Sequence, residues 1–267
     1  MKDVLIAVLN WNNAPDTIEC LDNILQEIEK NERCDLVLLD NSSSDNSLKI
    51  LKKLYIERMK IIENTTNGGF AYGNNPAFLM TLDNNYKYLI LVNNDAQFKK
   101  GSLNSIIVFA EENTRCGIIG GVILDYKRSE IVQAYGGGNI NWLGVARHFT
   151  DEVNDSALGY ITGALMLVRR EVIEDIGILD EKFFMYWEDV DYCYRARRAG
   201  WTLAVDPQCV LLHKESASSG KRSRLQIAMK NKSATYFAAK HFGYVGKFYY
   251  IGMFLRWFKA RAFELLR

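Results

Sequence analysis

Four short apolar runs punctuate the first hundred residues: VLIAVL (4–9), DLVLLD (35–40), KIIEN (60–64) and YLILVNN (88–94). Runs rich in Val, Ile and Leu without polar alternation mark strands buried on both faces. The sequence between them is patterned for helices. Pro15 and Asp16 open one with Ile18, Leu21, Leu25 and Ile28 on a single stripe. Residues 46–55 form a second after a Ser/Asp/Asn turn, and the glycine-rich NGGFAYGNN leads into a third near residues 76–82. Strand–helix alternation with short connectors demands an α/β fold, a mostly parallel central sheet flanked by helices.

The pattern changes from Gly117. GIIGGVIL and YITGALMLVRR read as strands, with the glycine-rich excursion YGGGNINWLG between them. A helix from about 188 to 199 ends at Gly200, a common C-terminal stop. TLAVD and CVLLH read as two more short strands, and 223–241 as a helix. Nothing in composition divides the chain before roughly residue 220, so residues 1–220 are expected to be one domain and 221–267 a C-terminal helical extension.

Charge and cysteine usage narrow the partners. Lys and Arg total 33 against 32 Asp and Glu, so no global field gathers nucleic acid. The five cysteines are scattered with no C-x-x-C pair, which fits thiols in a reducing compartment. The N-terminal apolar run is too short for a signal peptide, and no stretch is long enough to span a bilayer. A cytoplasmic protein is expected.

In such sheets ligands bind beyond the carboxyl ends of the strands. The first strand ends at NWN, the second at DNSSSD and the fourth at NND, which puts polar side chains at one edge. Trp11 offers a flat face for a nucleobase. Asp40 is either an acceptor for the imide N–H of uracil or thymine, or a turn-forming acid. No G-x-G-x-x-G follows the first strand, and SSGKRS lacks the pattern of a P-loop, which argues against a nicotinamide dehydrogenase or an ATPase. The glycines of NGGFAYGNN would let backbone approach a sugar or diphosphate. In FMYWEDVDYC, the acids Glu188, Asp189 and Asp191 stand directly behind the aromatics Phe184, Tyr186 and Trp187.

Taken in order, Trp11-Asn12, LLDNSSSDNS, NGGFAYGNN, LILVNNDA, TGALMLVRR, FFMYWEDVDYCYRARRAGW and the later His213 resemble the family 2 glycosyltransferases. The resemblance spans about residues 4–213 and implies the GT-A fold, with a nucleotide-binding half at 1–100 and an acceptor-binding half at 101–220. NND in place of D-x-D, together with GGFAYGNN, is most similar to bacterial rhamnosyltransferases that use dTDP-L-rhamnose. What the resemblance implies is an inverting transfer in cell-surface polysaccharide synthesis. Asp189 would be the base and Glu188 its acceptor-orienting neighbour. Trp11, Asp40, Asn67, Asn94 and Asp95 would hold the nucleotide-diphospho-sugar, and Trp187 and Gly163 the glycan or lipid-linked acceptor. Asp95 and His213, with diphosphate oxygens, would hold Mn²⁺ or Mg²⁺. A UDP-sugar donor, and a non-catalytic nucleotide-sugar- or carbohydrate-binding module on the same fold, stay open.

Other polar residues have plainer readings. Asp191 reads as a helix-start acid with Arg195 as its surface partner. Arg169 and Arg170 read as a solvated strand end, His148 and His241 as incidental, and the basic run Lys214, Lys221, Arg222 and Arg224 as solvated or neutralising a leaving group. In KFYYIGMFLRWFKARAFELLR, Phe248, Ile251, Leu255, Phe258, Ala262 and Leu265 share one helical stripe. It would lie on the inner membrane surface as a peripheral anchor, or pack on the domain or a second subunit.

Overall fold

The computed structural model describes residues 2–29, 31–141, 145–214 and 224–243. The apolar runs alternate with helices as β1 (Val4–Asn10), α1 (Ala14–Ile28), β2 (Cys34–Asp40), α2 (Ser47–Tyr55), β3 (Lys60–Glu63), α3 (Gly69–Asp83) and β4 (Tyr88–Asn93). There follow β5 (Ala96–Phe98), α4 (Ser102–Glu112), β6 (Cys116–Asp125), β7 (Val132–Tyr135), β8 (Gly137–Ile140) and β9 (Ala146–His148). The chain continues through β10 (Tyr160–Ile161), β11 (Leu165–Arg169), α5 (Arg170–Ile176), α6 (Glu188–Arg198), β12 (Thr202–His213) and α7 (Arg224–Phe242).

The main sheet has the order β3-β2-β1-β4-β11-β6-β12-β5, with β7 on β6; β10, β8 and β9 form a small second sheet. In the main sheet β1, β2, β3, β4, β6 and β12 run one way, whereas β5, β7 and β11 oppose them. Both faces of β1 are buried, as an unalternating apolar run requires. Leu5 and Ala7 join one core with α3, α5, α6 and α7, while Val4, Ile6 and Val8 join the other with α1, α2 and α4. Each fully buried Leu or Ile in these layers contributes about 1.5–3 kcal/mol of transfer free energy.

Several expectations are corrected. The buried face of α1 is Ala14, Thr17, Cys20, Leu21 and Ile24, so the stripe is rotated toward small residues. Thr17 and Cys20 draw that face onto the sheet by hydrogen bonds to Asn10 and to the Asn93 carbonyl. Helix α3 begins at Gly69, within the glycine-rich stretch, and runs through Pro76. Burial of Ala71, Gly73, Asn74, Asn75, Ala77 and Phe78 overrides the weak helix propensity there. TLAVD and CVLLH are one strand, β12, whose register shift between Asp206 and Val210 absorbs Pro207 as a bulge. YITGALMLVRR is two strands, β10 and β11, broken at residues 162–164 and lying in different sheets.

Arg169 is buried, not solvated. Its guanidinium donates to the carbonyls of Cys116, Asn113 and Ala110 and to the Tyr88 hydroxyl, closing the end of α4. Arg170 is at the surface and pairs with Glu174. The far C-terminal stripe lies outside the described residues. Among the described residues no helix is long and apolar enough to cross a membrane.

Candidate active site

Register brings the strand ends together. Asn10 pairs with Asp40, and Leu9 with Asn93, so β1, β2 and β4 finish at one edge. There a continuous polar network forms. Asn94 Nδ2 donates to Thr17 Oγ1 (2.8 Å), Thr17 to Asn10 Oδ1 (2.8 Å), and Asn10 Nδ2 to Asp40 Oδ1 (2.8 Å). Asp40 also accepts from the Ser43 hydroxyl (2.7 Å) and backbone N–H (2.9 Å). It has no exposed surface, so the turn-forming role is the one its bonds display, and only Oδ2 keeps spare acceptor capacity. The Trp11 indole beside it is 50% exposed, free to present a face.

Asn67 organises the loop before α3. Its Oδ1 accepts from Asn41 Nδ2 (2.9 Å) and from the Gly69 N–H (3.0 Å). Gly69 has φ +87°, and a Cβ there would lie 1.8 Å from the Phe184 carbonyl oxygen. The next residue, Phe70, donates its N–H to that same oxygen at 2.8 Å. The glycine-rich loop is thus docked on the segment leading to the acids.

Asp95 and His213 lie side by side. Oδ1 of buried Asp95 lies 3.1 Å from His213 Nε2. Gln133 Oε1 is 3.0 Å from His213 Nδ1, while its Nε2 donates to the His213 carbonyl. Those contacts fix the ring so that Nε2 faces Asp95 and Asn93 Nδ2 (3.3 Å). A carboxylate oxygen and an imidazole nitrogen 3.1 Å apart are close enough that both would bind one divalent cation. No third His, Cys, Asp or Glu joins them among the described residues, so a cation there would draw its other ligands from substrate or solvent.

The acids occupy the first turn of α6. Asp189 is half-buried; its Oδ2 accepts from the Gly163 N–H (3.0 Å) and its Oδ1 from the Val190 N–H (2.8 Å). Withdrawal from water raises its carboxyl above the ordinary range, against the pull of those two N–H groups and of His148. Glu188 is buried, and its Oε2 has no hydrogen-bond partner among the described residues. Burial, with the charge of Asp189, pushes the Glu188 carboxyl well up. Gly163 leaves room beside the acid: a Cβ there would stand 3.1 Å from the Phe70 ring and 3.8 Å from Asp189 Cβ. Adjacent Ala164 accepts from the Asn93 N–H at 3.1 Å, so residues 162–164 join Asp189 to the NND turn.

Trp187, expected on the acceptor wall, is buried with its ring 5.1 Å from that of Phe237; of the three aromatics Phe184 is the well-exposed one. Tyr186 and Trp187 both take left-handed backbone (φ +68° and +74°), which costs about 1–3 kcal/mol at each non-glycine residue. Asp191 is no surface acid. It is wholly buried among Arg195 Nε (2.9 Å), Lys240 Nζ (2.8 Å) and His241 Nε2 (2.6 Å). Burial opposes its ionisation, but bonds from His241 and Lys240 prevail and hold its carboxyl low. His241 is therefore structural rather than incidental, and His148 touches the Tyr160 hydroxyl at 3.3 Å. Lys214 pairs with Asp16 and Glu19.

The α/β sheet, with polar residues gathered at its strand ends, has the GT-A fold. The comparisons agree. The family model described as glycosyl transferase family 2 matches residues 4–177, and the chain belongs to that family. It is 28% identical over 174 residues to the N-acetylglucosaminyl-diphospho-decaprenol L-rhamnosyltransferase of Mycobacterium tuberculosis, covering 59% of this chain and 57% of the relative. It is 22% identical over 215 residues to the dTDP-rhamnosyl transferase RfbF of Shigella flexneri, covering 79% and 70%. The match thus spans under two thirds of the mycobacterial protein's length. The mannosyltransferase PcManGT of Pyrobaculum calidifontis, solved with GDP-Man and Mn²⁺, superposes with a TM-score of 0.63 at 18% identity, covering 89% of this chain and 63% of that one.

Thr17, Ser43, Asn41, Gln133 and Phe70 belong to the site's framework and were not singled out from sequence. Thr17 stands directly after NWNNAPD and could have been flagged. Gln133, on β7, reaches His213 across 80 positions of chain and carried no signal.

Proposed function

We propose that this family 2 glycosyltransferase moves L-rhamnose, with inversion, from dTDP-rhamnose to a hydroxyl of a lipid-linked saccharide. Asp189 is the base. The observation that carries this reading is its placement: a carboxylate fixed between two backbone N–H groups at a helix entrance, three linked residues from the NND turn. The acceptor oxygen attacks the anomeric carbon, its proton passes to Asp189, and the bond to the diphosphate breaks with its electron pair on the leaving oxygen. Raised above the ordinary carboxylate range, Asp189 is better matched to take that proton. Each of its oxygens keeps a lone pair beyond the N–H bond it accepts. Burial and the charge of Asp189 both disfavour ionisation of Glu188.

Asp95 and His213 would hold Mn²⁺ or Mg²⁺, which when bound supplies positive charge to the departing diphosphate. The exposed Trp11 face would take the base, with Asn94 and Asn67 fixing the strand-end turn and the loop before α3 around the donor. The choice of rhamnose and of a lipid-linked acceptor is supported by the names of the two relatives. Work on such acceptors would place the protein at the cytoplasmic face of the membrane.

A thermal-shift panel of dTDP-, UDP- and GDP-sugars with and without Mn²⁺ tests the donor, because a bound ligand stabilises the native state by its affinity and concentration. The expected result is the largest rise for dTDP-rhamnose, enhanced by Mn²⁺, with the enhancement lost in Asp95→Ala. A larger rise for a UDP-sugar replaces the donor. An absence of any rise leaves a module that binds no nucleotide.

A further inference from the structure

The segment 180–187 joins α5 to the acid-bearing start of α6, and α7 lies along its whole length. Tyr236 Oη and Lys240 Nζ donate to Asp180 Oδ2 at 2.9 and 2.7 Å. The Phe183 and Tyr236 rings meet edge to face at 4.9 Å, and Ser233 Oγ donates to the Met185 carbonyl at 2.9 Å. Phe237, with no exposed surface, packs on Trp187. Beyond the turn, His241 and Lys240 grip buried Asp191 in α6. From the other side the segment is held by Phe70 N–H on the Phe184 carbonyl.

Between these holds sit Tyr186 and Trp187, two consecutive side-chain-bearing residues in left-handed backbone. Such a conformation persists only where surroundings over-determine it. Here it also sets the direction in which α6 begins, and with it the aim of Asp189 at the Gly163 N–H. The stretch matched by the family model ends at residue 177, before both the turn and α7.

We propose that α7 is a positioning element of the transfer reaction: Ser233, Phe237 and His241 hold the left-handed turn so that Asp189 meets the acceptor hydroxyl. This rests on Asp189 being the base. The α7 residues contact the turn and α6, whereas the donor-side loop before α3 meets the turn separately, through the Phe70 N–H on the Phe184 carbonyl. Loosening the α7 clamp therefore lowers kcat and spares donor binding, since small misplacements of a catalytic group cost roughly tenfold to a hundredfold.

The test uses the full chain with Ser233→Ala, Ser233→Thr and His241→Ala. The readouts are kcat, donor-nucleotide Kd and hydrogen exchange across residues 183–191. The expected result for Ser233→Ala and His241→Ala is a kcat fall of roughly tenfold or more, donor affinity within about twofold, and faster exchange in that segment. Ser233→Thr, which keeps the hydroxyl, restores both. The proposal is overturned by wild-type kcat and exchange in both variants, or by donor affinity falling in step with kcat. Hydrogen exchange reads the clamp whatever the base is, and Asp189→Asn reads the base whatever holds the turn, so failure of one is told from failure of the other.

Discussion

Gly69→Ala should weaken the join between the α3 entrance and the turn that precedes α6. At φ +87° an L-residue pays about 1–2 kcal/mol for left-handed backbone. Its Cβ would lie 1.8 Å from the Phe184 carbonyl oxygen, so one of the two backbones must move. That movement breaks the 2.8 Å bond from Phe70 N–H, worth about 1 kcal/mol. It also disturbs the bond from Asn41 Nδ2 to the Gly69 carbonyl. Together these come to about 3 kcal/mol. For a chain of this size that is a fall in Tm of roughly 6–12 °C. Gly200→Ala is the control, because Gly200 has φ +98° and, among the described residues, nothing lies within 4 Å of an added Cβ. It should cost only the backbone term, about 1–2 kcal/mol. Urea denaturation of both variants gives the difference directly. Equal losses would refute the close contact between Gly69 and Phe184.

Glu188→Gln should flatten the pH dependence of stability. Burial and the charge of Asp189 raise the folded-state value above 4.5, so the native protein keeps a proton that the unfolded chain releases. That contribution is complete below about pH 4.5 and is lost as pH rises through the folded value. Urea midpoints across this range should decline less in the variant; an unchanged slope would show that Glu188 is not the group responsible. Arg169→Met strips hydrogen bonds from the Cys116, Asn113 and Ala110 carbonyls, at a cost of about 3 kcal/mol in denaturation. A loss under about 0.5 kcal/mol, the size expected for a surface position, would return Arg169 to the solvated strand end read from sequence.

The first half of the fold was legible because buried parallel strands announce themselves as unbroken Val/Ile/Leu runs, and β1, β2 and β4 do so. Helix α3 was misplaced because Gly69, Gly73, Asn74 and Asn75 disfavour helix locally, and what fixes them is burial against the sheet. β12 looked like two strands because Pro207 breaks a hydrogen-bond ladder, a break that a bulge tolerates. The exposed or buried state of a charge is not written locally. Arg169 and Asp191 look like surface residues until their partners arrive from 53–59 and 49–50 positions away. The Asp95–His213 pair was found only through resemblance, since nothing nearby ties residue 213 to the NND turn. The Asp191–His241 pair had no such help and was missed.

Asp189→Asn, assayed for sugar transfer alongside donor binding, tests Asp189 as the proton acceptor. The amide keeps an acceptor oxygen and much of the local packing but cannot take a proton. The expected outcome is unchanged donor affinity with turnover reduced by about two to four orders of magnitude. Turnover within about threefold of wild type, too small a loss for a missing general base, would contradict the assignment and move the proton acceptor away from α6.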